Sequence, residues 1–393
     1  RAERLRAYVP PGRAAPRPFE LGHAEIDGRL MTNWKRLAAR ALSGRSRLAW
    51  SYGDPQGEPA LRRAIADYLA AARGVRCRAE QVVLTAGTQQ GLSLVAQLLL
   101  DPGAVVWVED PCYRSAVDIL GAAEARIVPV AVDEGGLDVA AGRGPSPSLV
   151  YTTPSRQYPL GMAMPLARRR ILLDWAEASG VWIVEDDYES EFQAPGRMLP
   201  SLQGLDRALR VIYLGTFSKL LFPSLRLGYA VLPEDLVAPF AAARHLADRQ
   251  SSGLVQAIMT SFMESGDFAR HLKRMRARYG ERQAFVIDLL RRHLGGLIEV
   301  RPVESGMYLT AWLPSDRDDR AVAAALADSG VTVLPLSALI LETARPPGLV
   351  LGYTGHSEAA IVRAVERMAA VLDPATGLIN RPKLAVRKDR MPV

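Results

Sequence analysis

The chain has 393 residues, 49% of them hydrophobic, with 49 lysines and arginines against 42 acids and a formal net charge of +7. That apolar content is enough for a sizeable core, no uncharged run of eighteen apolar residues offers a membrane span, and the opening RAERLRAYVP lacks the apolar centre of a signal peptide. Two cysteines, Cys77 and Cys112, are too few for a disulfide framework or a metal cage, so a cytoplasmic setting is expected, and the basic excess reads as solvated helix faces such as RHLKRMRARYGERQ rather than a nucleic-acid surface.

Residues 1 to about 30 are rich in Pro, Gly and Arg and read as an arm; arm and linker together are assigned to 1–45. Beyond Gly57, ALRRAIADYLAAARG carries apolar residues at helical spacing and stops on a glycine. QVVLT then reads as a strand, QQGLSLVAQLLL as a helix, AVVWVED as a strand, YRSAVDILGAA as a helix, and RIVPV and SLVYTT as strands. PLARRRILLDWAEASG is a further helix, and VWIVEDD, RVIYLG and LRLGYAVL are strands. The alternation predicts an α/β fold with a mostly parallel sheet, and the unbroken apolar strands predict helices on both of its faces, a three-layer large domain over 46–245. Long helical stretches then run to about Leu294. IEVRPV, GMYLTAWLP, AVAAALADSG, VTVLP, GLVLGY and AAIVRAVERMAAVL follow, predicting a smaller α/β C-terminal domain over 246–375 and a basic tail at 376–393.

In open α/β sheets ligands gather beyond the carboxyl ends of the strands, and the unusual residues fall there. TAGTQQG follows a strand and opens a helix: Gly87 permits close backbone approach, and Thr88 with the next amides faces an anion at a helix N-terminus. VEDPCY sets Tyr113 where a ring can lie against a planar ligand, and Cys112 reads as a small buried residue. VWIVEDDYESEF ends a buried strand on Glu185, Asp186 and Asp187. Three adjacent carboxylates there need a positive partner, either a divalent metal or a protonated ring nitrogen. In GTFSKLLFPSLRLGY, Lys219 lies in an apolar run between Thr216 and Ser218 on one side and Arg226 on the other. A desolvated lysine is a nucleophile toward aldehydes, and an arginine fork suits a phosphate. Amine, phosphate cradle and buried acid together suit pyridoxal phosphate. A metal enzyme built on the three acids would leave Lys219 unexplained.

The segments SYGDPQGEPALRRAIADYL, TAGTQQGL, EDPCY, TTPSRQYPLGMAMPLARRR, VEDDYESEF, GTFSKLLFPSLRLGY and GVTVLPLS with GLVLGY occur in one order over roughly residues 20 to 372. In them the chain resembles the fold type I pyridoxal-phosphate enzymes, the aspartate-aminotransferase superfamily, and within it the aminotransferase-like domain of MocR-type regulators. The resemblance implies Lys219 as the lysine of the internal aldimine, Asp186 as partner of the pyridinium with Asp187 as fallback, and Tyr188 as a phenol beside the ring oxygen. It further implies Tyr113 as the stacking ring, and Gly87, Thr88, Gln89, Thr216, Ser218 and Arg226 around the cofactor and its phosphate. Tyr52 would reach the phosphate of a neighbouring subunit, which makes a homodimer with the site at its interface the expected assembly.

Three departures stand out. Nothing in the chain reads as the winged-helix domain that MocR-type regulators carry, so a nucleic-acid partner is not expected. TPSRQ has Arg156 where the regulators have histidine, and Tyr158 stands where many aminotransferases have asparagine. The strand GLVLGY lacks the arginine that many aminotransferases use for a substrate carboxylate, leaving Arg156, Arg345 and Arg114 as candidates. The expected function is a transferase acting on an amino acid through an external aldimine, most simply amino transfer. The alternatives are an elimination, cyclisation or oxidation on the same cofactor, or a ligand-sensing regulator domain.

Overall fold

The computed structural model describes residues 16–43, 50–193, 199–301 and 306–373. The expected tail at 376–393 and the first fifteen residues of the arm lie outside them.

The larger sheet contains β1 (Val82–Thr85), β2 (Val105–Asp110), β3 (Arg126–Asp133), β4 (Gly136–Leu137), β5 (Leu149–Thr152), β6 (Trp182–Asp187), β7 (Val211–Thr216) and β8 (Gly228–Val231), in the order β1-β8-β7-β6-β5-β2-β3-β4. Its centre, from β7 through β6, β5 and β2 to β3, is parallel, and β8 and β4 run against their neighbours. The expected mostly parallel α/β sheet is therefore present. Apolar residues adjacent in sequence bury on opposite faces, as the pleat requires. Val106, Val108, Val184, Ile212 and Leu214 join one core, while Trp107, Ile183, Val211 and Tyr213 face the other side. This is why these strands lack polar alternation.

Helices α1 (Gly28–Ser43), α2 (Pro59–Arg73), α3 (Thr88–Leu99), α4 (Arg114–Ala122), α5 (Leu166–Ser179), α6 (Leu202–Leu205) and α7 (Glu234–Asp248) are followed by α8 (Gly253–Glu264) and the long α9 (Asp267–Leu294). α3, α4 and α7 cover one face, while α1, α2, α8 and the first half of α9 cover the end formed by β1, β8 and β7 on the other. The expected boundary at 245/246 falls inside α7, and Ile258, Met259, Phe262, Leu272 and Tyr279 pack into the core of the larger sheet.

A second sheet, antiparallel and ordered β11-β12-β10-β9, contains β9 (Glu299–Val300), β10 (Tyr308–Trp312), β11 (Leu334–Pro335) and β12 (Gly348–Gly352). Helices α10 (Asp319–Asp328) and α11 (Glu358–Leu372) and the second half of α9 complete its core. The arm is part of both bodies. Phe19 is fully buried in the smaller core and bridges Gly352, and α1 packs on the larger one. Asp110, at the end of β2, accepts the backbone N–H groups of Leu341, Glu342 and Thr343 at 2.7–2.8 Å, tying a loop of the smaller body to the larger sheet. No helix among the described residues is long and apolar enough to cross a membrane.

Candidate functional site

The loops after β1, β2, β5, β6 and β7 converge beyond the carboxyl edge of the larger sheet. Gly87 caps α3 with φ near +125°, a region that side chains rarely adopt, and a carbon added there would lie 3.8 Å from Arg226 Nη1 and 3.9 Å from Thr216 Oγ1. Arg226 is itself in the left-handed region, φ 48° and ψ 49°, immediately after the turn Pro223–Leu225. Such a conformation costs about 1–3 kcal/mol and persists where the surroundings hold it. Ser218 N–H donates to Thr216 Oγ1 at 3.1 Å, and its own hydroxyl is buried without a protein partner. Thr88 is the first residue of α3, and Gln89 donates to the Tyr113 hydroxyl at 2.9 Å. A helix N-terminus, an arginine fork and two hydroxyls thus line one concavity, a suitable cradle for a phosphate.

The three acids of β6 separate by the alternation of the strand. Glu185 accepts the N–H groups of Leu202 and Gln203, both at 2.9 Å. Asp187 accepts from Arg73 Nε at 2.8 Å and Tyr213 OH at 2.7 Å. Although burial works against it, the Arg73 guanidinium holds the Asp187 carboxyl below the usual carboxylate range. Asp186 points to the opposite face, where Tyr151 OH donates to Oδ2 at 2.6 Å and Oδ1 is buried with no partner. Burial pushes its carboxyl up to about 7, against the Tyr151 hydrogen bond and with the help of Asp187 and Glu109. Asp187, the expected fallback, is thus engaged through Oδ2 by Arg73 and Tyr213 on one face, while Asp186 turns an unpartnered Oδ1 to the other.

Lys219 follows β7. Burial pulls its ammonium below the ordinary lysine value, opposed by the charges of Glu189 and Asp186 and assisted by Arg226. The arm passes directly over it: a carbon added at Gly22 would stand 2.6 Å from Lys219 Nζ. Behind it, His271 Nε2 contacts the Leu220 carbonyl at 2.9 Å, fixing the turn that carries the lysine. Tyrosines wall the remaining side. Tyr158 packs edge-on against Tyr113, Tyr188 and Tyr308 at centroid distances of 5.7, 6.0 and 5.5 Å, and the hydroxyls of Tyr188 and Tyr308 are 2.6 Å apart.

The other predicted residues lie as follows. Arg156 is buried and paired with Glu189 at 2.5 Å. Arg345 donates to the Val132 carbonyl and lines a cleft of about 880 Å³ with Asp133, Leu160, Arg301 and Trp312. Arg114 pairs with Asp118 at 3.3 Å on the outside of α4. Tyr52 is 79% exposed, with the Arg249 guanidinium 4.5 Å above its ring. Sequence reasoning missed Glu189, Tyr151, Tyr308 and Gly22. Tyr151 was legible as a hydroxyl inside the apolar strand SLVYTT beside β6, and Glu189 as the fourth acid of EDDYE; Tyr308 and Gly22 reach the site only through tertiary contacts.

Comparison with known proteins shows the family and the fold. The aminotransferase class I and II family model matches residues 17–368. The probable rhizopine catabolism regulatory protein MocR of Rhizobium meliloti is 40% identical over 337 residues, which are 86% of this chain and 68% of that protein. An uncharacterised HTH-type transcriptional regulator of Bacillus subtilis, YhdI, is 35% identical over 87% of this chain and 72% of its own length. Among solved structures, the α-aminoadipate aminotransferase of Thermus thermophilus, complexed with N-(5'-phosphopyridoxyl)-L-leucine, superposes with a TM-score of 0.82 at 28% identity, covering 92% of this chain and 93% of that one.

Proposed function

Because this chain belongs to the class I and II aminotransferase family, we propose that it is a pyridoxal-phosphate-dependent transferase acting on the amino group of a small amino acid or amine, most simply by amino transfer. The observation that carries the reading is a pair of buried polar atoms without protein partners, the acceptor Asp186 Oδ1 and the hydroxyl of Ser218, together with the desolvated Lys219. Most buried polar groups in proteins are paired; a pyridine N–H would supply the missing donor to Asp186, and a phosphate the missing acceptor for the Ser218 hydroxyl. The donor set therefore fits the cofactor.

Lys219 would hold the aldehyde carbon. Gly87, Thr88, Gln89, Thr216, Ser218 and Arg226 would take the phosphate end, and Asp186 the ring nitrogen. Tyr113 would lie on the ring, Tyr188 beside its oxygen, and Tyr52 would come from a second copy of the chain. When bound, pyridoxal phosphate supplies an electron sink for the pair released from a Cα–H bond. The protein supplies the proton path and the field. Lys219 Nζ, drawn toward neutrality by burial, takes the proton from the substrate carbon as general base and returns it as general acid. Asp186, an acid that burial holds near 7, would ionise against a ring N–H and favour the protonated form of that nitrogen. The arm at Gly22 and the tyrosine wall exclude water from Nζ, so the proton is delivered to one atom.

The test is an absorption spectrum of the protein saturated with pyridoxal phosphate. A visible band that borohydride bleaches, with the phosphopyridoxyl mass recovered on the Lys219 peptide and absent in Lys219→Ala, is expected; a wild-type protein without the band sinks the reading. A second reading, a ligand-sensing domain, is favoured by the regulators at 40% and 35% identity. Amino donors that convert the chromophore to pyridoxamine phosphate support the transferase. Donors that perturb the band without that product support the sensor.

A further inference from the structure

We propose that Glu189 determines the substrate class of this site: by neutralising Arg156 it withholds the buried guanidinium from a substrate carboxylate, so the site takes primary amines that carry no carboxylate on the amino-bearing carbon. The inference rests on the reading of Lys219 as the cofactor lysine, since it concerns what is presented to that atom.

The arginine sits in a built seat. Glu189 is 2.5 Å from Arg156 Nε, and each side chain of the pair is 2% exposed. Arg156 Nη2 donates to the Tyr308 carbonyl at 2.9 Å, and its guanidinium carbon lies 4.7 Å from the centroid of the Tyr308 ring. Gly306 closes the seat: a carbon added there would lie 2.6 Å from Arg156 Cζ. The backbone comes in so close that only glycine leaves room for the guanidinium. Such an arginine is already paired in charge with Glu189, donates through Nη2 to a backbone carbonyl and lies over a π face. A substrate carboxylate could claim it only by stripping Glu189 of its partner, and a buried carboxylate left unpaired is strongly unfavourable. Lys219 also feels Glu189 directly, so a second carboxylate close to Nζ would meet like charge.

What the wall offers is suited to neutral groups. Tyr158, Tyr188 and Tyr308 present aromatic rings, and the Tyr188 hydroxyl engages the Tyr308 hydroxyl and the Arg156 carbonyl, a surface suited to alkyl or aryl substituents on an amine. Strand β12, which pairs with β10 beside Tyr308, runs GLVLG and contains no cation.

The experiment compares matched pairs on the cofactor-loaded protein by calorimetry: tyramine against L-tyrosine, and ethanolamine against L-serine. Wild type is expected to bind each amine about tenfold or more tighter than its amino acid. In Glu189→Gln, which frees Arg156 at constant shape, that preference is expected to fall by about tenfold or more as the amino acid tightens. Equal or tighter binding of the amino acids by wild type overturns the proposal, whether or not the variant folds. A preference that persists unchanged in Glu189→Gln also overturns it, because discrimination would then lie elsewhere. Absence of the borohydride-sensitive band in wild type is a different failure: it removes the cofactor reading itself.

Discussion

Asp186 holds a carboxyl whose burial favours the protonated form. Burial pushes it to about 7, whereas an exposed aspartate in the unfolded chain titrates at about 3.9. Between these values the folded chain binds a proton that the unfolded chain has released. The linkage sign is then fixed: this residue's contribution to stability is greatest below about pH 4 and is lost as pH rises toward 7. Glu191, also raised to about 7 by burial, acts in the same direction. The informative measurement is a difference. The cofactor-free wild type is expected to lose more Tm between pH 5 and pH 7 than Asp186→Asn, which has no proton to lose. If a bound cofactor's ring N–H meets Asp186, it would satisfy the ionised carboxylate and the wild-type slope should flatten. Parallel Tm profiles for the two cofactor-free proteins would mean that Asp186 is not the buried acid its surroundings make it.

At the scale of an element, strand β6 sorts three neighbouring acids by alternation alone. Glu185 and Asp187 are consumed by structure, at the α6 N-terminus and at Arg73, while Asp186 is left to the site. The Arg73–Asp187 pair is 1% exposed on both sides. Removing one partner of such a pair strands the other, at about 3–5 kcal/mol, while replacing both by neutral groups of similar size costs far less. Arg73→Leu is therefore expected to lower the free energy of unfolding by about 3–5 kcal/mol, and Arg73→Leu with Asp187→Asn to recover most of it, both read by urea titration. A double variant as unstable as the single one would show that packing, not charge, sets the role of Arg73. The same strand marks how far the sequence could be read. Apolar runs and glycine stops disclosed the strands and helices, because both faces of the sheet are covered. Lys219, Arg226 and Gly87 were legible because each is an anomaly in its local context. The seat of Arg156 was not, since Glu189, Gly306 and Tyr308 lie 33, 150 and 152 positions away in the chain and meet it only through tertiary packing.

At the scale of the whole molecule, the surface around Tyr52 is the feature a single chain does not explain. Trp50, Tyr52 and Leu246 are 68, 79 and 85% exposed. Trp50 and Tyr52 are two positions apart in the chain, and adjoining exposed apolar side chains mark a candidate association surface. If a second copy covers them, the Tyr52 hydroxyl enters the partner's phosphate cradle and each site is built from two chains. Hydrogen bonds to a charged group contribute about 1.5–3 kcal/mol, so Tyr52→Ala should weaken cofactor binding by roughly ten- to a hundredfold at that strength. Mixing separates this from a local effect. Tyr52→Ala supplies an intact Lys219, and Lys219→Ala supplies an intact Tyr52. Hybrid dimers made by refolding the two together therefore contain one native site in each pair. At cofactor concentrations too low to load Tyr52→Ala alone, the mixture should regain a borohydride-sensitive band on Lys219, in proportion to the hybrid fraction measured by native mass spectrometry. Hybrids that form without regaining the band would place the Tyr52 hydroxyl outside the partner's site.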